Sequence, residues 1–328
     1  MTVMLGIDAL QGAISMHDAI DLLEGTLAHD AAGKTSASPK YVTEFPGGAM
    51  RILVAADAQA GYLATKAYHS IKGVGTRYVV TLYSLADGEV LAILDGRIIT
   101  DLRTGAASGV IARKVGIAGA VTVGILGSGN QARTQLESLA AVYRIESAAV
   151  FSPTAANRER YAREMSAQLG IRVTAVDTPE AAVRGKQVVA TASNSRSAEP
   201  ILRGEWLAGC RLVCAVGNTR PQFAEIDVRS FSDAALVVVD SRHALEEAGD
   251  LREAVKSGAL PKDKQATLGE IITGAASVPS EGLVVFKSVG MALQDLALAA
   301  RYYELLGNRK EFAAPSAVAS LRDVLPKE

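Results

Sequence analysis

Four cations and one glycine loop are the features of this chain whose residue types and spacing could do chemistry. The run Val121 to Ala132 reads VTVGILGSGNQA: apolar residues, then Gly127, Ser128, Gly129, Asn130, Gln131 and Ala132, then the helix-forming stretch Arg133 to Ala141. Gly127 can make a tight turn, Gly129 lets an anion reach the backbone, and Ala132 permits close packing of helix on sheet. The free N–H groups and the positive end of the following helix would face phosphates. A second apolar run, Ala148 to Phe151, follows at βαβ spacing, and the combination predicts a dinucleotide site.

Four cations upstream deserve the same scrutiny: Lys40, Arg51, Lys66 and Arg103. Arg103 stands at the front of the small-residue run DLRTGAASGVIARK, Asp101 to Lys114, which reads as a helix with Asp101 or Thr104 near its start. A guanidinium there could grip a carboxylate in bidentate fashion, assisted by the helix N-terminus. Lys66 interrupts the apolar run GYLATKAYHS and is expected to be partly buried. Burial beside another cation would suit it to exchange a proton near neutrality. The four histidines offer little: His69 lies three residues past Lys66, while His17, His29 and His243 fall at expected exposed positions. Cations without a histidine base fit reduction of an imine better than oxidation of an alcohol. A protonated imine is already electrophilic, so its carboxylate need only be held and its carbon aimed.

Elements must position these groups. Ser15 to Ala31 carries apolar residues at helical spacing. Gly33 to Pro39 reads as a polar loop, and YVTEF, MRILVAA, GYLATKAY, RYVVTLYSL and VLAILDG then form a mostly antiparallel sheet with a hairpin turn at Asp87-Gly88. From Val121 to Val239 strands alternate with helices at Asn157 to Gln168 and Pro179 to Val183, the pattern of a doubly wound parallel sheet. Helices are expected at Leu245 to Ser257 and Leu268 to Gly274, a strand at Leu283 to Ser288, and a long helix at Met291 to Leu306 that could return to the first domain. Gly307 to Glu328 reads as a polar tail with a short helix at Ala317 to Val324. The fold class is therefore α/β, a Rossmann-type sheet over 118–290, plus an α+β substrate-binding and dimerisation domain over 1–117 and 291–328.

Composition narrows the partners. With 34 Lys and Arg against 35 Asp and Glu in 328 residues, the net charge is -1, which offers no footprint for nucleic acid or an anionic membrane. Two cysteines, Cys210 and Cys214, flank an expected strand and lack the partners for a disulfide framework or a metal site. No secretory leader and no apolar run of about 18 residues is seen, so a cytoplasmic setting is expected.

Taken together, GYLATK at Gly61 to Lys66, DGRIITDLRTGAAS at Asp95 to Ser108, GSGNQA at Gly127 to Ala132, VVDS at Val238 to Ser241, AGDL at Ala248 to Leu251 and KSVGMALQD at Lys287 to Asp295 resemble the ornithine cyclodeaminase/mu-crystallin family, with the motifs in the family's order. The resemblance implies a homodimer with a Rossmann domain for NAD(H) or NADP(H). It also implies activity as a cyclodeaminase, an amino-acid dehydrogenase or an imino-acid reductase. By the same resemblance Lys66 and Arg103 match the substrate-carboxylate cations, with Lys66 also the proton relay. An earlier cation would be Lys40 or Arg51. Thr81, Arg103, Asn130, Gln131, Thr191, Ala215, Val216, Gly217 and Ser288 fall on cofactor contacts, beside Gly127, Ser128 and Gly129, and Val289 falls at the substrate.

Two departures sharpen the expectation. Cyclodeaminases resemble one another in an Asp two residues after the glycine of AVGNTRPQFAEID, where this chain has Thr219. A threonine hydroxyl cannot replace a carboxylate base. After the second Rossmann strand, where NAD enzymes place an acid, stand Ser152, Pro153 and Thr154, with Arg158 nearby. That set favours NADP(H), with NAD(H) still possible. The expected activity is reduction of a small α-imino acid, reversible as an amino-acid dehydrogenase. The alternatives are an ornithine-type cyclodeaminase using Glu225 or Asp227, or a nucleotide-binding protein like mu-crystallin.

Overall fold

A computed structural model describes residues 2–195 and 197–314. Its contacts divide the chain into two compact units, one comprising Met1–Ser15, Ala32–Thr100 and Met291–Glu328, the other Met16–Ala31 and Asp101–Gly290. The boundaries expected from sequence, 1–117 and 118–290, differ in two places: the first long helix and residues 101–117 cluster with the second unit. The short helix expected at Ala317 to Val324 lies outside the described residues.

The first unit is a seven-stranded sheet in the order β1-β7-β6-β5-β4-β2, with β3 also paired to β4. Its strands are β1 (Val3–Leu5), β2 (Thr35–Ala37), β3 (Tyr41–Phe45), β4 (Gly48–Asp57), β5 (Tyr62–Ile71), β6 (Gly75–Ser84) and β7 (Val90–Asp95). All pairings are antiparallel except β1 with β7. The loop expected at Gly33 to Pro39 contains β2, a three-residue strand set by its pairing with Ala55 to Asp57. Alternation sorts β4, β5 and β6 into two faces. Leu53, Ala55, Ala64, Val80 and Leu82 are buried, and α11 (Ala292–Leu306) packs on these strands. The other face carries Met50, Ile52 and Val79, all exposed.

The second unit is an eight-stranded sheet in the order β10-β9-β8-β11-β12-β15-β13-β14, parallel throughout. Its strands are β8 (Ala120–Leu126), β9 (Arg144–Phe151), β10 (Arg172–Ala175), β11 (Val188–Thr191), β12 (Leu212–Ala215), β13 (Leu236–Val239), β14 (Gln265–Thr267) and β15 (Val284–Lys287). Strands β11, β12, β13 and β15 are buried along their whole length, as a parallel sheet covered on both faces requires. The helices in chain order are α1 (Ile7–Leu10), α2 (Met16–Ala31), α3 (Gly96–Val115), α4 (Asn130–Val142), α5 (Ala155–Leu169), α6 (Pro179–Val183), α7 (Val228–Ser232), α8 (Ala244–Glu247), α9 (Gly249–Lys256), α10 (Leu268–Thr273) and then α11. The single helix expected at Leu245 to Ser257 is broken at Ala248, whose extended backbone separates α8 from α9.

Small residues make α3 fit. A β-carbon at Gly109 would meet Ile20 and Ser138, so a larger residue would force α3 away from α2 and α4. Buried Cys210 and Cys214 are core thiols; desolvation pushes both up to about 12 from an ordinary 9.0. Among the described residues no helix is long and apolar enough to cross a membrane.

Candidate functional site

The glycine loop joins β8 to α4. Gly127 has φ +120°, and a β-carbon there would come within 2.5 Å of the Ala192 carbonyl oxygen, so only glycine fits. Gly129 caps α4 with no side chain, and a β-carbon at that position would meet nothing within 4 Å. The helix N-terminus therefore faces open space, with no acidic residue in its first turn to oppose an anion. Asn130 and Gln131 turn their amides to the Asp101 carboxylate at 3.3 and 2.7 Å. Ser128 Oγ donates to Ser152 Oγ at 3.0 Å, linking the loop to the end of β9. There Arg158 donates to the Ser152 carbonyl at 3.2 Å and pairs with Asp177. This cradle fits a dinucleotide: a backbone surface free of β-carbons, an open helix start and a cation beside β9.

Two buried carboxylates organise the carboxyl ends of the neighbouring strands, and sequence reasoning assigned neither this task. Glu225 is fully buried and accepts from Ser193 N at 2.8 Å and Ser193 Oγ at 2.9 Å after β11, and from Gly217 N at 2.8 Å and Asn218 N at 3.2 Å after β12. Its neighbour Lys287 lies at 3.8 Å and pairs with Asp250 at 3.0 Å. Gly217 has no room for a β-carbon, which would collide with Glu225 Oε1 and the Ser193 backbone. Thr191, Ala215 and Val216 lie at the same strand ends; the Thr191 hydroxyl is buried with no hydrogen-bond partner in the structure. The second carboxylate, Asp240, accepts from Ser288 Oγ at 2.8 Å, Val289 N at 3.0 Å and Gly290 N at 2.5 Å through one oxygen. Its other oxygen takes Ser241 N at 3.0 Å.

Arg103 is buried, and its guanidinium lies against Gly290. It does not stand at the front of its helix as expected. Helix α3 starts at Gly96, where Asp95 accepts the amides of Arg97 and Ile98, so Arg103 sits about two turns in, beyond the reach of the helix-end field. Neither Asp101 nor Thr104 is near the helix start.

In the first unit Lys66 is almost wholly buried, at 3% exposure, and donates to Asp295 Oδ1 of α11 at 2.8 Å. The expected neighbour was a second cation; the partner described is a carboxylate. Tyr68 and Tyr78 stack at 5.2 Å, and the ammonium lies 5.8 and 5.5 Å from their ring centres. Arg51, half-buried, shares this face through its pairing with Tyr68 and lies 5.8 Å from that ring. Lys40 is half-buried between β2 and β3. Thr81 pairs with Thr65, and Lys66 pairs with Val80, so Thr81 projects from the face opposite to Lys66. In the sequence Asp295 appears as the last residue of the motif KSVGMALQD, with no role assigned to it.

The carboxylates following Thr219 are already engaged. Glu225 is held as described, and Asp227 caps α7, accepting from Ser230 N and Oγ and from Gly204 N.

The ornithine cyclodeaminase/mu-crystallin family model matches residues 1–310. An alanine dehydrogenase of Archaeoglobus fulgidus is 30% identical over 92% of this chain and 94% of its own length. The ketimine reductase mu-crystallin of Rattus norvegicus is 35% identical over 69% of this chain and 68% of its own. Among solved structures, Thermococcus litoralis Delta(1)-pyrroline-2-carboxylate reductase, in complex with NADH and L-proline, superposes with a TM-score of 0.86 at 29% identity, covering 92% of this chain and 97% of that one. The glycine cradle, the ordered motifs and these matches agree: the chain belongs to the ornithine cyclodeaminase/mu-crystallin family.

Proposed function

We propose that this protein is an NAD(P)H-dependent oxidoreductase acting on CH–NH or CH–NH2 groups, and that it reduces small α-imino acids. The substrate class is a cyclic ketimine such as pyrroline-2-carboxylate, or an imine of an α-keto acid, with reversal as an amino-acid dehydrogenase. The observation that carries this reading against cyclodeamination is the state of the carboxylates after β12. Thr219 takes the place of the acid, Glu225 accepts on both of its oxygens from backbone N–H groups and the Ser193 hydroxyl, and Asp227 is committed through Oδ1 to capping α7.

A reduced nicotinamide held in this cradle would supply the hydride that the imine carbon accepts. Arg103 holds the substrate carboxylate, with Lys40 or Arg51 as a second cation, and Val289 borders the substrate. Lys66 moves the proton at the substrate nitrogen, its ammonium kept in place by Asp295. Gly127 to Gln131 hold the pyrophosphate. Thr191, Ala215 to Gly217 and Ser288 line the remainder of the nucleotide, whereas Thr81, on the sheet face opposite to Lys66, is not placed with them.

NADPH is the preferred donor in this reading. Ser152 and Thr154 present no carboxylate at the end of β9, and Arg158 is anchored there in a pair with exposed Asp177, a partner that a 2′-phosphate would replace. Replacing Arg158 by Ala is expected to raise KM for NADPH about tenfold and to leave KM for NADH nearly unchanged. The exposed apolar face of the first unit's sheet, with Met50, Ile52 and Val79, fits burial against a second copy in a homodimer.

The test is oxidation of NADPH and of NADH by the purified protein against pyrroline-2-carboxylate, and against keto acids with ammonia or methylamine, with ornithine and catalytic NAD in parallel. Imine-dependent oxidation supports the proposal. Ammonia released from ornithine without net nucleotide change overturns it, as does nucleotide binding without turnover of any imine.

A further inference from the structure

We infer that Asp240 and Gly290 are positioning residues that set where the Arg103 guanidinium stands, and through it how the protein distinguishes a carboxylated imine from one without the carboxylate. This rests on the reading of Arg103 as the carboxylate-binding cation.

The geometry runs through three consecutive residues after β15. One oxygen of Asp240, a side chain only 3% exposed, takes the Ser288 hydroxyl and the amides of Val289 and Gly290. Three donors on one carboxylate oxygen fix both the path and the rotation of this segment, and charge-assisted bonds of this kind are the stronger sort. The other oxygen ties the carboxylate to the amide of Ser241, so the anchor itself has one orientation. At the end of the latched segment Gly290 adopts φ +81°, a conformation that disfavours any residue with a side chain. A β-carbon there would lie 2.6, 2.7 and 2.9 Å from Arg103 Nη1, Nη2 and Cζ. The guanidinium thus rests on bare backbone whose position Asp240 dictates. Planar two-point recognition of a carboxylate tolerates little displacement, so a shift of the Gly290 surface reaches the substrate's carboxylate through Arg103.

The experiment compares kcat/KM for pyrroline-2-carboxylate with kcat/KM for 1-pyrroline, the same ring without the carboxylate, in full-length protein. Wild type, Arg103→Met, Gly290→Ala, Asp240→Ala and Asp240→Asn are measured, each checked for folding by thermal melting. Gly290→Ala and Asp240→Ala are expected to lower the ratio of the two values about tenfold, through KM of the carboxylated substrate. Asp240→Asn keeps an oxygen for the three donors of residues 288–290 and loses only the Ser241 bond, so it should restore most of the ratio. If Asp240→Ala does not fold, Gly290→Ala and Asp240→Asn still carry the comparison. A ratio that collapses in Arg103→Met but stays at the wild-type value in Gly290→Ala and Asp240→Ala overturns the inference and leaves the function intact. A ratio unmoved in Arg103→Met shows that Arg103 does not read the carboxylate, and the inference falls with that reading.

Discussion

Buried charge is used differently in the two units. At the carboxyl edge of the parallel sheet, Glu225 and Asp240 are filled by backbone N–H groups and hydroxyls, and their work is to hold loops. On the antiparallel sheet, Lys66 donates to the Asp295 carboxylate and lies against two aromatic rings. A carboxylate that accepts four hydrogen bonds has little capacity left for chemistry. An ammonium with three donors and a compact charge can exchange a partner as substrate arrives. On the proposed reading, Glu225 and Asp240 shape the site and Lys66 acts in it.

The sharpest way to break that distinction is at Lys66. Lys66→Met should lower kcat by about a hundredfold or more, the usual contribution of a positioned proton donor, while nucleotide binding followed by fluorescence titration persists. Wild-type turnover would reject the role. Next in size is the buried pair of Lys287 and Asp250: Asp250→Ala leaves fully buried Lys287 without its 3.0 Å partner and should cost roughly 3–5 kcal/mol, read from chemical denaturation. Gly127→Ala places a β-carbon against the Ala192 carbonyl oxygen at positive φ. It is expected to cost about 1–3 kcal/mol of nucleotide affinity or stability, measured by calorimetry and melting.

At neutral pH the thiols contribute no such change, and their effect appears only in alkali. Cys210 and Cys214 have folded values near 12 against an ordinary 9.0, so above about pH 9 the unfolded chain loses protons that the folded chain keeps. Stability from this source is complete below pH 9 and falls as pH rises toward 12, with the loss removed in a Cys210→Ala, Cys214→Ala variant. Denaturation midpoints across that range check the sign.

Local patterns were the legible part of the chain. The strand, glycine turn and helix at Val121 to Val142 follow from residues adjacent in sequence, as do the alternating strands β4 to β7. Strands β1, β2 and β14 were not foreseen, because three residues carry too little pattern and their conformation is set by the strands they pair with. The start of α3 was misplaced because Asp95, the last residue of β7, supplies the cap. Within the candidate site, glycines and cations stood out by type. Asp240 and Asp295 did not, since their partners lie 48–50 and 229 residues away along the chain. Only the fold brings those distant partners together.

The most direct test of the central claim follows the label rather than the absorbance. Incubation of the protein with pyrroline-2-carboxylate and nucleotide deuterated at the transferable position, with mass spectrometry of the product, reports where the hydride ends. The expected product is proline carrying one deuterium at its α-carbon, with one equivalent of oxidised nucleotide. Unlabelled product, or no product with the nucleotide still bound and reduced, would contradict it.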